Sequence, residues 1–63
     1  MSKGEWDPQK VKNLRIRLGK TQKEFAEMLD VHVVTVIRWE KGNFNPSKMA
    51  LKVLDAFEKN APS

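Results

Sequence analysis

A chain of 63 residues without cysteine has room for one small domain, and packed side chains must hold it together because neither disulfides nor thiolate-bound metals are available. This length excludes a second globular unit and a catalytic cleft between two lobes. Twelve Lys and Arg residues against eight Asp and Glu residues give a net charge of +4, which favours a polyanionic partner, although many small basic domains bind none.

The first helix is predicted from about Pro8 to Leu18. Asp7 is a good N-cap, the proline suits the first helical position because no donor is lost there, and Gly19 can end the helix in a left-handed conformation. Trp6 is expected to pack on Val11 as a hydrophobic staple, which is a structural role. The inward stripe of this helix comprises Val11, Leu14 and Leu18.

The second helix is predicted to be barely two turns long and to begin at a capping box formed by Thr21 and Glu24. An isolated helix of this length does not persist in water, so packing must hold it in place. Its buried stripe is predicted to comprise Phe25, Ala26 and Leu29.

A third helix is predicted to start near His32 and to stop at Gly42, with Val36 and Trp39 on its inner side. The second and third helices and the tight turn between them make residues 21–42 a helix-turn-helix, whose second helix can lie in the major groove of DNA. The outward face of this helix is predicted to comprise Val33, Val34, Ile37, Arg38 and Lys41. That face is basic at one end and apolar at the other.

The fourth helix is predicted to begin at Asn45 and Pro46, a second pairing of cap and proline, with Phe44 stapled onto Met49. Leu51 is expected to point away from the core. The core face is predicted to comprise Met49, Ala50, Val53, Leu54 and Phe57. Residues 1–5 and 60–63 are expected to be flexible ends of a single domain that spans residues 1–63.

Positive charge is concentrated before the helix-turn-helix, where only Glu5 and Asp7 oppose six basic residues. These are Lys3, Lys10, Lys12, Arg15, Arg17 and Lys20. Within residues 21–42 the acidic residues slightly outnumber the basic ones. The first helix is therefore expected to supply the electrostatic attraction to DNA.

Several residues occur in a fixed order and at a fixed spacing: Leu14-Arg15, Gly19, Thr21-Gln22, Phe25-Ala26, Leu29, Val31, Thr35-Val36, Trp39-Glu40, Gly42 and Pro46-Ser47. This pattern resembles that of the phage-repressor and Cro type, or XRE-like, helix-turn-helix domain over residues 8 to about 58. The resemblance implies an all-α fold, a small repressor-like bundle of four helices. Asp30 stands where the family usually has the glycine of the turn, and Asp adopts left-handed angles more readily than most residues.

The resemblance also implies which side chains contact DNA bases. Arg38 is the strongest candidate, because a guanidinium can bind guanine O6 and N7 with two hydrogen bonds, and a phosphate contact is the alternative. Val33, Val34 and Ile37 stand where the family usually has some polar residues. They would recognise thymine methyl groups or form a patch for a protein partner. Trp39 is expected to be a core residue rather than a stacking platform.

Contacts to the DNA backbone are expected from the first helix, from the starts of the second and third helices, and from the loop after the third. The candidates are Thr21, Gln22, His32, Lys41, Asn43, Arg15 and Lys12. Arg15 and Glu40 resemble the ion pair of the family, which would fix the angle between the first and third helices. The alternatives are a solvated Gln22, a His32 that caps weakly or only fills the turn, and ordinary loop polarity at Lys41 and Asn43. For Arg15 and Glu40 the alternative is two unrelated surface charges.

Three functions fit these observations. The first is a sequence-specific regulator of transcription, a repressor that binds double-stranded DNA as a homodimer without a cofactor. The second is an antitoxin that represses its own operon, suggested by a weaker likeness between residues 45–60 and antitoxin domains. The third is a protein-interaction module on a helix-turn-helix scaffold. For a toxin or other protein partner, the surface would be Ile16, Leu51 or the exposed valines, and the first two could also pair subunits.

Enzymatic activity is not expected, because the sequence has no Gly-rich phosphate loop, no metal-ligand cluster and no paired acid and base. No apolar run is long enough to span a membrane, and no apolar segment follows the first five residues. We therefore expect a cytoplasmic protein.

Overall fold

A computed structural model describes residues 6–61 of the chain, which form four α-helices. They are α1 (Pro8–Arg17), α2 (Gln22–Leu29), α3 (Val33–Lys41) and α4 (Lys48–Asn60). α3 packs against both α1 and α2, and α4 packs against α1. The predicted fold class, a small all-α bundle of four helices, is confirmed. Among the described residues, no helix combines the length and the apolar character that crossing a membrane requires.

α1 begins as predicted. The Asp7 side chain accepts a hydrogen bond from the backbone N–H of Lys10 at 2.7 Å, and Pro8 occupies the first helical position. The helix ends at Arg17, one residue earlier than predicted, and Leu18 is its C-cap.

α1, α2 and α3 end with the same hydrogen-bonding pattern. Residues with positive φ follow the three helices, namely Gly19, Asp30 and Gly42. The next backbone N–H in each case donates to the carbonyl five residues back, which satisfies an otherwise free acceptor at the helix end. The predicted left-handed conformations of Gly19 and Asp30 are confirmed, with φ of 71° and 59°.

The hydrophobic core draws on all four helices. Its buried residues are Trp6, Val11, Leu14, Phe25, Ala26, Val36, Trp39 and Leu54. Phe25 is fully buried and its ring centroid lies 6.5 Å from that of Phe57 on α4. The stripes predicted for the first three helices all face this core, with Leu18 and Leu29 half-buried at its edge.

α4 begins later than predicted. Ser47 is its N-cap, since the hydroxyl accepts a hydrogen bond from the backbone N–H of Ala50 at 3.2 Å. The predicted start at Asn45 and Pro46 is wrong, because a second good capping residue stands two positions after Asn45. Pro46 therefore precedes the cap instead of occupying the first turn.

The buried face of α4 also differs from the prediction. The residues that pack on or within the core are Ala50, Leu51, Leu54 and Phe57. Leu51 was expected to point away from the core, whereas Met49 and Val53, expected to face it, are exposed. The predicted staple between Phe44 and Met49 is wrong as well, because these side chains are 53% and 79% exposed. Apolar residues at helical spacing line two faces of α4, and only packing against the rest of the protein selects between them.

The end of α4 is more regular than predicted. The helix reaches Asn60, whose side chain donates to the carbonyl of Ala56 at 3.0 Å, and Ala61 packs against the core. Residues 60 and 61, predicted to belong to a flexible end, are thus the last residue of α4 and its C-cap. The expected flexible residues 1–5 and 62–63 lie outside the described residues.

Trp6 joins the segment before α1 to α4. Its indole Nε1 donates to Asp55 Oδ1 at 2.8 Å, and its ring is buried. Lys10 Nζ lies 4.4 Å from the centroid of a Trp6 ring and 3.7 Å from Glu58 Oε1. The predicted structural role of Trp6 is confirmed, and its contact with α4 adds to it.

Replacing Trp6 with Phe is expected to lower the free energy of unfolding by about 1 kcal/mol, because the ring keeps most of its packing but loses the N–H that donates to Asp55. Urea unfolding followed by circular dichroism measures this change. The same replacement in an Asp55→Ala background should have a smaller effect, since the hydrogen bond is already absent. Equal losses in the two backgrounds would assign the effect to ring packing alone.

Candidate nucleic-acid interface

The turn between α2 and α3 is held by backbone hydrogen bonds on both sides. Asp30 is left-handed, and the backbone N–H of Val31 donates to the Ala26 carbonyl at 3.0 Å. His32 is the N-cap of α3, and its carbonyl accepts from the backbone N–H of Thr35 at 2.9 Å. Residues 21–42 thus form two helices joined by a short, defined turn, as predicted.

Two buried side chains attach α3 to the core. Val36 is fully buried and Trp39 is 4% exposed, both on the inner side of the helix, as predicted. Because the indole of Trp39 is enclosed by the protein, it is a core residue and is not available to stack on a base. The opposite side of α3 is left facing solvent.

That solvent-facing side is less apolar than predicted. Its exposed residues include Val34, Arg38 and Lys41. Ile37 is half-buried. Val33, which was expected to face outward, packs against the core, so that expectation is wrong. The reason is that Val33 lies three residues before buried Val36, so the two side chains are neighbours on the surface of the helix. An apolar contact with DNA would therefore come mainly from Val34 and Ile37.

Three side chains connect α1, α2 and the end of α3. Arg15 Nε and Nη2 donate to Glu40 Oε2 and Oε1 at 2.7 and 3.2 Å, and Gln22 Nε2 donates to Glu40 Oε1 at 3.2 Å. The side chains of Arg15 and Glu40 are only 14% and 6% exposed. A guanidinium bound through two nitrogens has a defined orientation relative to the carboxylate. The predicted ion pair is present and joins α3 to α1.

The network changes the interpretation of Gln22 and Arg15. Gln22 is half-buried and donates to a carboxylate 18 positions away, so it is not the solvated helix-start residue of the alternative interpretation. Arg15 also donates from Nη1 to the Lys20 carbonyl at 3.0 Å, so each of its three nitrogens already has an acceptor within the protein. Only the remaining N–H bonds of Arg15 are left for a phosphate.

Thr21 and Glu24 form the predicted capping box at the start of α2. The backbone N–H of Thr21 donates to Glu24 Oε1 at 2.9 Å, and that of Glu24 donates to Thr21 Oγ1 at 3.1 Å. The first of these bonds holds the pKa of Glu24 below its usual value. The backbone N–H groups of Gln22 and Lys23 have no acceptor within an α-helix that starts here, which leaves them for an anion.

The other candidates for backbone contacts are on the surface. His32, Lys41, Asn43 and Lys12 are all exposed. The His32 side chain makes no capping hydrogen bond, so the suggested weak cap is not formed. Within residues 6–61, no group of His, Asp and Glu side chains is arranged to hold a metal ion.

The ion pair also affects the charge of the helix-turn-helix. Glu40 is nearly enclosed and faces Arg15, so it contributes little negative potential at the surface. The remaining acids of residues 21–42 then equal the bases in number, three against three. The acids are Glu24, Glu27 and Asp30, and the bases are Lys23, Arg38 and Lys41. Attraction to a polyanion therefore depends on exposed basic residues of α1 and its end, such as Lys12, Arg17 and Lys20.

Phe44 belongs to this surface, although the sequence pattern predicts a staple for it. The Arg38 guanidinium carbon Cζ lies 5.1 Å from the centroid of the Phe44 ring. An aromatic residue six positions after an arginine gives no recognisable signal in the sequence, because the contact depends on how the chain turns at the end of α3.

A helix-turn-helix family model matches residues 11–58. The chain belongs to the XRE-type helix-turn-helix family. The chain is similar to YgzD of Bacillus subtilis, with 45% identity over 49 residues, which cover 76% of this chain and 74% of the relative. Two proteins of Archaeoglobus fulgidus are 37% and 35% identical over 49 residues, covering 76% of this chain and 69% and 70% of their own length. All three are described as uncharacterized HTH-type transcriptional regulators. No solved structure is significantly similar to the chain.

Proposed function

We propose that this XRE-type protein is a sequence-specific, double-stranded-DNA-binding regulator of transcription, a repressor that acts in the cytoplasm and has no enzymatic activity. The observation that carries the proposal is the presentation of α3. Val36 and Trp39 bury its inner side, the Arg15–Glu40 pair ties down its end, and Arg38 is exposed on the opposite side. A helix held in this way can enter the major groove as a rigid unit.

In this proposal, side chains of α3 contact the bases, and residues on both sides of these contacts bind the phosphates. Arg38 would bind a guanine through O6 and N7, while Val34 and Ile37 would contact thymine methyl groups. Val33 is packed against the core and would contribute least. Phosphates would be bound by Lys41, Asn43 and His32 on one side and by Thr21, Gln22, Arg15 and Lys12 on the other.

The size of the reading helix supports the proposal of a homodimer. α3 has nine residues, so one copy can contact only a few base pairs. Two copies on half-sites about one helical turn apart, roughly 34 Å, would double the sequence that is read. Selection of bound sequences from a random pool, followed by footprinting, tests the proposal: a palindrome with this spacing is expected, and no enrichment at low salt would contradict DNA reading.

The surface suggested for a toxin or other protein partner is smaller than expected. Leu51 and Val33 pack against the core, which leaves Ile16 and Val34 as the exposed members of that set. The antitoxin interpretation began from the likeness of residues 45–60 to antitoxin domains, and both alternatives needed an exposed apolar surface. The candidates for that surface included Ile16 on α1, Val33 and Val34 on α3, and Leu51 on α4. Because Val33 and Leu51 are packed against the core, no observation favours either function over DNA binding.

Replacing Arg38 with Ala is expected to reduce discrimination between the selected site and random DNA by about 1–3 kcal/mol, because a bidentate contact to guanine is lost. The affinity for each DNA is measured by fluorescence anisotropy over a range of salt concentrations. Lys12→Ala is the matched control, since it removes an exposed positive charge from α1. It should weaken binding to both DNAs equally. The salt dependence of the affinity should then indicate about one fewer counterion released on binding. Equal losses on both DNAs for Arg38→Ala would assign that residue to a phosphate.

A further inference from the structure

Phe44 is a large aromatic residue that the hydrophobic core does not use. Its side chain is 53% exposed, and it is absent from the group of residues that pack on the core. Its defined contact is with Arg38, whose Cζ lies 5.1 Å from the ring centroid, within the range of a cation–π interaction. No carboxylate among the described residues forms an ion pair with Arg38, so the ring is the feature of the protein that faces its guanidinium.

The backbone at the end of α3 brings these two side chains together. Gly42 is left-handed at φ 83°, and the backbone N–H of Asn43 donates to the carbonyl of Arg38 at 2.9 Å. This bond turns the chain back over the last turn of the helix, so that the next residue, Phe44, lies beside Arg38. Helix ends of this type are often accompanied by a side-chain contact across the turn. Here the contact is between an aromatic ring and the arginine that faces solvent.

A stacked guanidinium can still bind a base. The cation–π contact uses the flat face of the group, whereas hydrogen bonds to guanine O6 and N7 use the N–H bonds at its edge. An exposed arginine samples many rotamers and loses that freedom when it binds. A ring that restricts the guanidinium before DNA arrives would therefore reduce the entropy lost on binding.

We propose that Phe44 is a positioning residue that holds Arg38 ready for base reading and thereby sets part of the sequence specificity. The inference rests on the proposed function, because it assigns Arg38 to a base contact. Phe44 itself does not read the base; it acts through the guanidinium. A tyrosine at position 44 would preserve the stack, whereas a leucine would keep an apolar side chain and remove the aromatic face.

The stack is tested first without DNA. In the wild-type protein, the nuclear magnetic resonance signals of the Arg38 side chain should be shifted by the ring current of Phe44. Phe44→Leu should return them to values typical of a free arginine, and Phe44→Tyr should keep them shifted. Arg38 signals that are the same in the wild type and in Phe44→Leu would overturn the proposal, whether or not the protein binds DNA.

The effect on specificity is tested with the selected site and random DNA. Phe44→Leu should reduce the ratio of the two affinities by about two- to fivefold, as expected for one exposed cation–π contact, and Phe44→Tyr should restore it. In an Arg38→Ala background, Phe44→Leu should change the ratio no further. An unchanged ratio for Phe44→Leu, or an equal fall in both backgrounds, would overturn the proposal. A wild-type protein without any sequence preference would instead contradict the proposed function.

Met49→Ala is the matched control, because it removes another exposed apolar side chain that follows α3. It should leave both the Arg38 signals and the affinity ratio as in the wild type. Analytical ultracentrifugation of all variants measures their self-association and shows whether Phe44 acts in a contact between subunits or in the stack on Arg38. If Phe44→Leu and Met49→Ala weaken self-association together, and the loss of specificity follows that weakening, Phe44 belongs to a subunit interface and the proposal is wrong.

Discussion

Trp39→Ala should leave a large fraction of the chain unfolded at room temperature. The side chain is 4% exposed and anchors α3 to the core, and truncating a buried Trp to Ala typically costs about 3–5 kcal/mol. Domains are stable by about 0.05–0.15 kcal/mol per residue, so this loss is comparable to the total stability of a chain of 63 residues. Urea and thermal unfolding followed by circular dichroism measure the effect.

The controls for Trp39→Ala distinguish a core residue from a DNA contact. Trp39→Phe should retain most of the stability because it leaves a smaller cavity, and Lys41→Ala, on the exposed side of the same helix, should change it by less than about 0.5 kcal/mol. An excess of the selected DNA should restore part of the folded population of Trp39→Ala by mass action. A variant that folds like the wild type but no longer binds DNA would contradict the assignment of Trp39 to the core.

Features set by local backbone chemistry could be predicted from the sequence. Asp7 caps α1, Thr21 and Glu24 form a capping box, and Gly19 and Asp30 adopt left-handed angles, all as their residue types indicate. Each of these depends on hydrogen bonds between residues close in the chain, so the information is present in a short window. The existence and type of all four helices followed from such signals together with apolar spacing.

The register of α4 could not be predicted in the same way. Two capping residues, Asn45 and Ser47, compete for its start, and apolar side chains occupy two of its faces. Helical spacing places Met49 on the predicted core face and Leu51 away from it, but only Leu51 reaches the core. The choice depends on where α1 lies relative to α4, which is a tertiary effect. Val33 is a second example, because helical spacing predicts that it faces outward whereas it packs against the core.

Polar contacts between distant residues divide into two groups. The Arg15–Glu40 pair was expected only because both positions match a family pattern, and nothing in the spacing of 25 residues indicates it. The bonds from Gln22 to Glu40 and from Trp6 to Asp55 have no such pattern to reveal them. Each of these bonds requires two segments that are distant in the sequence to come within hydrogen-bond distance. Their positions depend on the packing of the whole fold and not on a local sequence pattern.

Glu40→Ala is expected to lower the free energy of unfolding by about 3 kcal/mol, because removing one partner of a buried ion pair leaves the other without compensation. The Arg15 side chain is 14% exposed, and its guanidinium would keep only the Lys20 carbonyl as an acceptor. The Gln22 amide would lose its acceptor as well. Urea unfolding measures the loss. Glu40→Gln is the conservative control, since its amide oxygen still accepts, and it should lose less. A loss below about 0.5 kcal/mol would place the pair among weak surface contacts.

A double variant separates the stability that the ion pair provides from the geometry that it sets. Arg15→Met with Glu40→Leu replaces both charges by apolar groups of similar length, and such replacements of buried pairs are often neutral or stabilising. We therefore expect the double variant to recover most of the stability that Glu40→Ala loses, although the Gln22 amide and the Lys20 carbonyl still lose their side-chain partners. It no longer has the two-nitrogen contact that orients α3 relative to α1, so discrimination between the selected site and random DNA should still fall. Discrimination at the wild-type value in this double variant would mean that packing of Val36 and Trp39 alone sets the angle of the reading helix.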